Sequence, residues 1–448
     1  MPVPNSPEGR RAYELDRAHV FHSWSAQATL DPLVIEGAYG SEVWDADGRR
    51  LLDFSSQLVY TNIGHQHPAV VAAIQEQAAR LCVIAPQHAV GIRGEAAERI
   101  ARIAPDGFEK VFFTNGGADA IEHAVRMARL HTGRPKILSR YRSYHGGTHM
   151  AVNVTGDQRR WPSDTAAAGV VHFFGPFLYR SQFNARTEEE ECERALAHLE
   201  SVIQFEGPGT VAGIVLETVP GTAGIMPPPP GYLAGVRELC DRYGIVMILD
   251  EVMAGFGRTG KWFALDHWGV TPDLITFAKG VTSGYVPLGG VIISDPIAST
   301  FDERAYPGGL TYSGHPLACA AAVATIDVME REDIVGQAAH VGREVFQPGL
   351  AELKAAHPSV GDVRGLGAFW AVELVRDPET KEPLAPYGAS SPAMAETVAA
   401  CMAEGLLPFV SNNRLHLTPP CNIDPDDARR GLEMLDRALD VADRHVVG

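Results

Sequence analysis

Residues 211–250 read VAGIVLETVPGTAGIMPPPPGYLAGVRELCDRYGIVMILD. An apolar run at 211–216 opens the stretch and a second, at 245–249, closes it; between them 231–243 carries apolar residues at helical spacing. Short, continuously apolar runs joined through a helix make a βαβ unit, whose strands are buried on both faces. The four prolines at 227–230 form a rigid, polyproline-like loop rather than a domain break. Outward from this stretch the alternation continues, with strand-like runs at 110–113, 136–138 and 274–278 and a helical pattern at 118–131. The fold expected is α/β, a mostly parallel central sheet covered by helices on both sides.

The 448 residues are enough for two or three lobes with a large buried core. A large lobe is expected over 61–325, with 1–60 and 326–448 combining into a smaller α+β lobe. Asp424-Pro425 reads as an N-cap followed by proline at the first helical position, and Ala428, Leu432, Leu435, Leu439 and Ala442 then form an amphipathic stripe. The run 188–191, extended by Glu193, reads as the first turn and solvated face of a helix. His65-Gln66-His67 lacks further ligand types nearby and reads as a turn rather than a metal site.

An apolar fraction of 45% and a charged fraction of 21% are ordinary for a globular protein and argue against a disordered or fibrous one. Acidic residues outnumber basic ones 55 to 38, and a net charge of −17 repels nucleic acid and anionic membranes. The 45 glycines, in excess of ordinary usage and without a collagen-like period, point to tight turns and close backbone approaches. Six scattered cysteines without a C-x-x-C pair indicate neither a zinc site nor a disulfide framework. Residues 1–17 lack the apolar core of a secretory leader, and no apolar run approaches the ~18 residues of a membrane helix. A cytoplasmic protein with reduced thiols is expected.

Three features carry chemistry. Thr114-Asn115-Gly116-Gly117-Ala118-Asp119 follows the strand at 110–113 and opens a helix. Its glycines let backbone N–H groups approach a ligand, and the helix N-terminus adds partial positive charge, which suits a phosphate. Asp250 ends the apolar run 245–249, where ligands of open α/β sheets gather. Lys279 ends 274–278 and precedes Gly280, the placement of a Schiff-base amine whose pKa falls on desolvation. Taken singly, the first reads equally as a plain turn, the second as a helix cap or salt bridge, and the third as a solvated lysine. Together they are the three handles of a pyridoxal phosphate site: a phosphate cradle, a carboxylate for the pyridine nitrogen and an amine for the aldehyde. Tyr144-His145-Gly146-Gly147, after another strand, adds an aromatic side chain suited to stack on the ring.

The stretches TNGGADAIEHAVRMAR (114–129), YHGG (144–147), LDEVMAGFGRTGKWFALDHWGVTPDLITFAKG (249–280) and TYSGHPLACAAA (311–322) resemble the class III aminotransferases of the fold-type I pyridoxal-phosphate enzymes. The match runs from about residue 30 to the C-terminus. The resemblance implies that Lys279 is the Schiff-base lysine and Asp250 the partner of the pyridine nitrogen. It also implies that Gly116, Gly117 and Ala118 bind the phosphate, that Tyr144 stacks on one ring face with His145 beside it, and that Val252 packs on the other. Glu217 joins the cofactor-binding set. Thr311 matches a threonine that reaches the phosphate across a subunit interface, so a homodimer, alone or paired into a dimer of dimers, is implied.

The departures bear on substrate. Where ornithine- and 4-aminobutyrate-type members carry Glu-Val-Gln after the aspartate, this chain has Glu251-Val252-Met253. Their arginine-masking glutamate aligns with Thr222, and the arginine itself, three residues before a Pro-Pro pair, aligns with His416 before Pro419-Pro420. Arg414, two residues earlier, shares the face of His416 on a strand and is a candidate clamp for a carboxylate or sulfonate. A tryptophan common in the ω-amino acid:pyruvate branch aligns with Val59, leaving Tyr60 and Trp24 as candidate pocket aromatics. The expected reaction is transfer of an amino group from β-alanine, taurine or a related amine to pyruvate by ping-pong half-reactions. The alternatives are 2-oxoglutarate as acceptor, or a decarboxylase or aminomutase using the same cofactor.

Overall fold

A computed structural model describes residues 3–164 and 169–447. Its central sheet has seven strands in the spatial order Lys110–Thr114, Gly289–Ile293, Leu274–Phe277, Val246–Asp250, Val211–Glu217, Lys136–Arg140 and Val170–Phe173. Gly289–Ile293 runs antiparallel to both neighbours and every other pairing is parallel. Val211–Glu217 and Val246–Asp250 are buried at every position, as strands covered on both faces must be. Alternate residues divide between the two faces. Val215, Ile248 and Val291 pack with Ala120, Ala124 and Ala128 of the helix Gly117–Thr132, while Ile214, Met247 and Leu249 pack with Leu233 and Val236 of Tyr232–Tyr243.

A second sheet of eight strands draws on both ends of the chain. Arg50–Phe54 pairs in parallel with Leu406–Ser411, and the path continues through Arg414–Leu417 and Phe369–Asp377 to Val360–Leu366. Asp424 caps the helix Pro425–Asp443 by accepting from the Asp426 N–H at 2.8 Å, and the stripe from Ala428 to Ala442 is buried against this sheet. Arg258 ties the two lobes together. Fully buried, it donates to the carbonyls of Ala368 (3.1 Å) and Pro419 and to Asn62 Oδ1 (2.8 Å).

The acidic run at 188–191 opens the helix Glu188–Glu206, capped by Thr187. Glu191 departs from the solvated face expected of it: it is buried, accepting from the Phe177 N–H at 2.7 Å and from the Ser181 hydroxyl. All six cysteines are unpaired. No helix among the described residues is long and apolar enough to cross a membrane.

His357 fastens the C-terminal helix. Its Nδ1 lies 2.7 Å from Asp443 and its Nε2 3.0 Å from Asp436. Burial works against protonation, but the hydrogen bonds and charges of both aspartates win and raise the pKa. A raised folded-state pKa places the clamp's full contribution below the unfolded value of about 6.5 and removes it as pH rises through the folded value. His357→Asn is therefore expected to cost roughly 2 kcal/mol in mildly acid buffer and less above neutrality. Denaturant titrations of both proteins at several pH values check this; a cost that grows with pH refutes it.

Candidate active site

The carboxyl ends of 110–114, 211–217, 246–250 and 274–277 open on one edge of the sheet, and a cavity of about 460 Å³ lies there. Asn115, Gly116, Gly117 and Ala118 form one wall, Tyr144 and His145 a second, Asp250, Val252 and Lys279 a third, with Tyr60 at the rim. Gly117 opens its helix with Gly116 as cap residue, so the first-turn amides have no intrahelical acceptor. Close packing explains two glycines. A Cβ on Gly117 would sit 2.9 Å from Val252 Cγ1, and one on Gly146, whose φ is +135°, would sit 2.5 Å from Ala118 Cβ. Neither loop tolerates a side chain at its point of close approach, Gly117 against Val252 and Gly146 against Ala118.

Asp250 Oδ2 lies 2.7 Å from His145 Nδ1, and its Oδ1 accepts from the Val252 N–H at 3.0 Å. His145 is buried and its Nε2 has no partner. Lys279 is held with φ of +46° in a turn at the end of the strand Leu274–Phe277. Burial lowers its pKa, Asp250 and Glu217 counteract, and Arg159 pushes it further down. Its amine makes no hydrogen bond or ion pair among the described residues. Glu217 does not line the cavity. Its oxygens accept from the Tyr144 N–H (2.9 Å) and the Gly221 N–H (2.8 Å), so it shapes the Tyr144 turn from behind. Burial raises the Glu217 pKa.

The remaining predicted residues lie outside the cavity wall. Val59 is buried with Val219, Ile225, Met253 and Phe369. Thr222 touches Met253, its hydroxyl 3.8 Å from the sulfur. Arg414 and His416 share one face of the strand Arg414–Leu417, opposite Glu373 and Ala371, and Arg414 lies against the 221–224 turn. Arg414 is buried, its Nε has no partner, and its two side-chain contacts are long, 3.5 Å to Asn413 and 3.4 Å to Ser411. Burial pulls its pKa down to about 10, with Glu373 opposing. Neither ring nitrogen of His416 has a partner, and burial, then the Arg414 charge, push its pKa well below the usual range. Thr311 is exposed, and Trp24 is 69% exposed; neither lines this chain's cavity.

One cation escaped the sequence reading. The Arg159 guanidinium lies 3.5 Å from the Tyr144 ring centroid and is held by Asp157 at 3.0 Å. Its segment, Gly156-Asp157-Gln158-Arg159, reads as an unremarkable polar loop. Only folding brings it over the ring.

The family model for class III aminotransferases matches residues 24–439. The chain belongs to that family. This class III aminotransferase is 41% identical to a taurine:2-oxoglutarate aminotransferase from Bifidobacterium kashiwanohense, solved with PLP and glutamate, over 98% of each chain with a TM-score of 0.95. It is 36% identical to an (S)-enantioselective omega-transaminase from Thermomicrobium roseum over 96% of this chain and 98% of that one, TM-score 0.90. It is also 36% identical to a 5-aminovalerate aminotransferase of Pseudomonas putida over 84% of this chain and 86% of the relative. The fold is that of the fold-type I transaminases and the cofactor is pyridoxal 5'-phosphate. The aminotransferase's cavity suits that group: free first-turn amides at 117–118, a strand-end carboxylate and the unpaired Lys279 amine converge on it.

Proposed function

We propose that this aminotransferase takes the amino group of a short ω-amino acid carrying an acid head group, β-alanine, taurine or a close relative, and passes it to a small 2-oxo acid. The observation that carries this reading is the Thr222–Met253 contact beside an unmasked, poorly partnered Arg414. Where a glutamate at 222 would hold the guanidinium, a threonine leaves it open to a substrate carboxylate or sulfonate, either of which it can grip bidentately. Arg159 is a second cation near the site, although Asp157 already occupies it. Pyruvate is the acceptor implied by the resemblance of GLTYSGHPLACAAA (309–322) to the corresponding motif of the ω-amino acid:pyruvate branch; the similarity to a taurine:2-oxoglutarate enzyme supports 2-oxoglutarate as the second reading.

In this reading the amides of Gly117 and Ala118 hold the phosphate, Tyr144 and Val252 bracket the ring, and Asp250 keeps the pyridine nitrogen protonated while His145 orients its carboxylate. Bound there, pyridoxal phosphate supplies an electron sink for the donor carbon. Lys279 Nζ holds the cofactor's aldehyde and, with a pKa lowered by burial, moves a proton to and from the donor carbon. Glu217 keeps the Tyr144 turn in place. Tyr60, which lines the cavity, shapes the donor pocket, with Val59 packed outside its wall and the exposed Trp24 supplied by a second subunit. The working unit is a homodimer, or a dimer of dimers, in which Thr311 completes the partner's phosphate site. Sedimentation of the holoenzyme should give at least a dimer; a monomer with full activity refutes this arrangement.

A donor panel tests the substrate reading. Taurine and β-alanine should convert the bound cofactor to its aminated form in single turnover, read by visible absorbance. Arg414→Gln should raise their KM about tenfold or more, from the loss of a charge-assisted pair, while an amine without an acid group is unaffected. Equal loss for all donors removes the clamp.

A further inference from the structure

Beside the cofactor cavity lies a second one, of about 340 Å³, lined by Arg140, Arg142, Arg160 and Arg180 and by the neighbouring rings of Trp161 and Tyr387, whose centroids are 6.1 Å apart. No carboxylate lines it among the described residues. Arg180 pairs with Glu373 at 2.6 Å, but that carboxylate also serves Arg364, and Arg180 Nη2 is buried without a partner. Arg160 pairs with Asp164, yet its Nε is likewise buried and partnerless. Arg140 is 3% exposed and, among the described residues, forms no ion pair and makes two long hydrogen bonds, to the carbonyls of Tyr141 (3.3 Å) and Pro176 (3.4 Å). Arg142 forms no ion pair among the described residues, with Glu373 acting on it only at longer range, and lies over the Phe177 ring at 5.2 Å. Among the described residues two carboxylates, Asp164 and Glu373, pair directly with these four guanidiniums, while Glu217 and Glu191 act on Arg140 from beyond pairing distance. Direct pairing still leaves buried guanidinium nitrogens, Arg180 Nη2 and Arg160 Nε, without an acceptor, and an anion would complete them.

One segment runs between the two cavities, which have no lining residue in common. In the run 157–161, Arg159 lies on the Tyr144 ring on the cofactor side, whereas Arg160 and Trp161 line the arginine cavity. Arg142 and Tyr387, both lining it, also act electrostatically on Arg414. We propose that the arginine cavity is an anion site for the carboxylate or sulfonate of a small acid of the substrate class. Planar guanidiniums beside aromatic rings suit such a group. Two sources share this chemistry: the distal acid group of a dicarboxylic acceptor bound at the cofactor, and a second, free acid molecule. The choice of substrate class rests on the function proposed above; the anion site itself does not.

Calorimetric titration of the holoenzyme with inorganic sulfate tests it without turnover. Wild type should bind sulfate, and Arg142→Gln and Arg160→Gln should each weaken that binding about tenfold, with thermal melts confirming folded variants. Sulfate that binds both variants as tightly as wild type, or does not bind wild type, overturns the site. Kinetics then separate the sources. If the acceptor's distal group occupies the cavity, sulfate competes with 2-oxoglutarate but not with pyruvate, and both variants raise KM for 2-oxoglutarate alone. If a free acid occupies it, sulfate alters rates with both acceptors and neither variant discriminates between them. Failure of every taurine-type donor would sink the substrate reading while leaving the sulfate result standing.

Discussion

Lys279→Ala is expected to abolish transamination, with kcat falling by about 10,000-fold or more, because one side chain performs two tasks. Its amine is the unpartnered nitrogen at the strand end, and burial lowers its pKa, which favours the nucleophilic neutral form. Alanine removes both the covalent attachment and the proton carrier. The variant's cofactor should exchange freely on dialysis and should not become fixed to protein by borohydride. Retention of a reducible linkage would move the role to another lysine. Lys279→Arg, which keeps charge and length but not a nucleophilic amine, should be as inactive as the alanine variant.

Asp250→Asn ranks second, with an expected loss in kcat of about 100- to 10,000-fold and a smaller change in KM. The carboxylate is buried, receives the Val252 N–H and faces His145 Nδ1 at 2.7 Å. An amide keeps the shape but cannot favour a proton on a neighbouring ring nitrogen, since the charge that holds it is gone. His145 separates the electrostatic role from a packing one. His145→Gln should reduce kcat several-fold with the cofactor still bound, whereas Asp250→Asn should also shift the cofactor's absorption. Equal kcat in wild type and Asp250→Asn would refute the assignment.

Much of this architecture is legible in residue order because its signals are local. A continuously apolar run of five to seven residues is buried on both faces wherever it lands, and 211–217 and 246–250 do land at the centre of the sheet. The cap at Asp424 and the stripe after it likewise need only neighbouring residues. The antiparallel direction of Gly289–Ile293 is set by its distant pairings, and no local pattern reports it. Glu191 shows the same limit. Within its helix it is one more acidic residue of the first turn, and only the Phe177 and Ser181 donors make its burial affordable.

The excess glycine and the negative net charge acquire their meaning in the same way. Glycine at 117 and 146 answers to Val252 and Ala118, residues that composition cannot pair with them. A chain of charge −17 nevertheless gathers Arg142, Arg180, Arg364 and Arg414 around Glu373, because opposite charges are sorted by three-dimensional distance and not by sum.

By itself, then, the sequence determined the class III family, the α/β architecture and the cofactor, since strand, turn and helix signals act over a few residues and the Asp250-to-Lys279 block is specific. The tertiary structure alone decided which side chains meet: His145 with Asp250, Thr222 with Met253, Arg159 with Tyr144, and four arginines around one cavity. Such meetings depend on loop packing and on contacts between residues up to hundreds of positions apart, and no spacing in the chain encodes them.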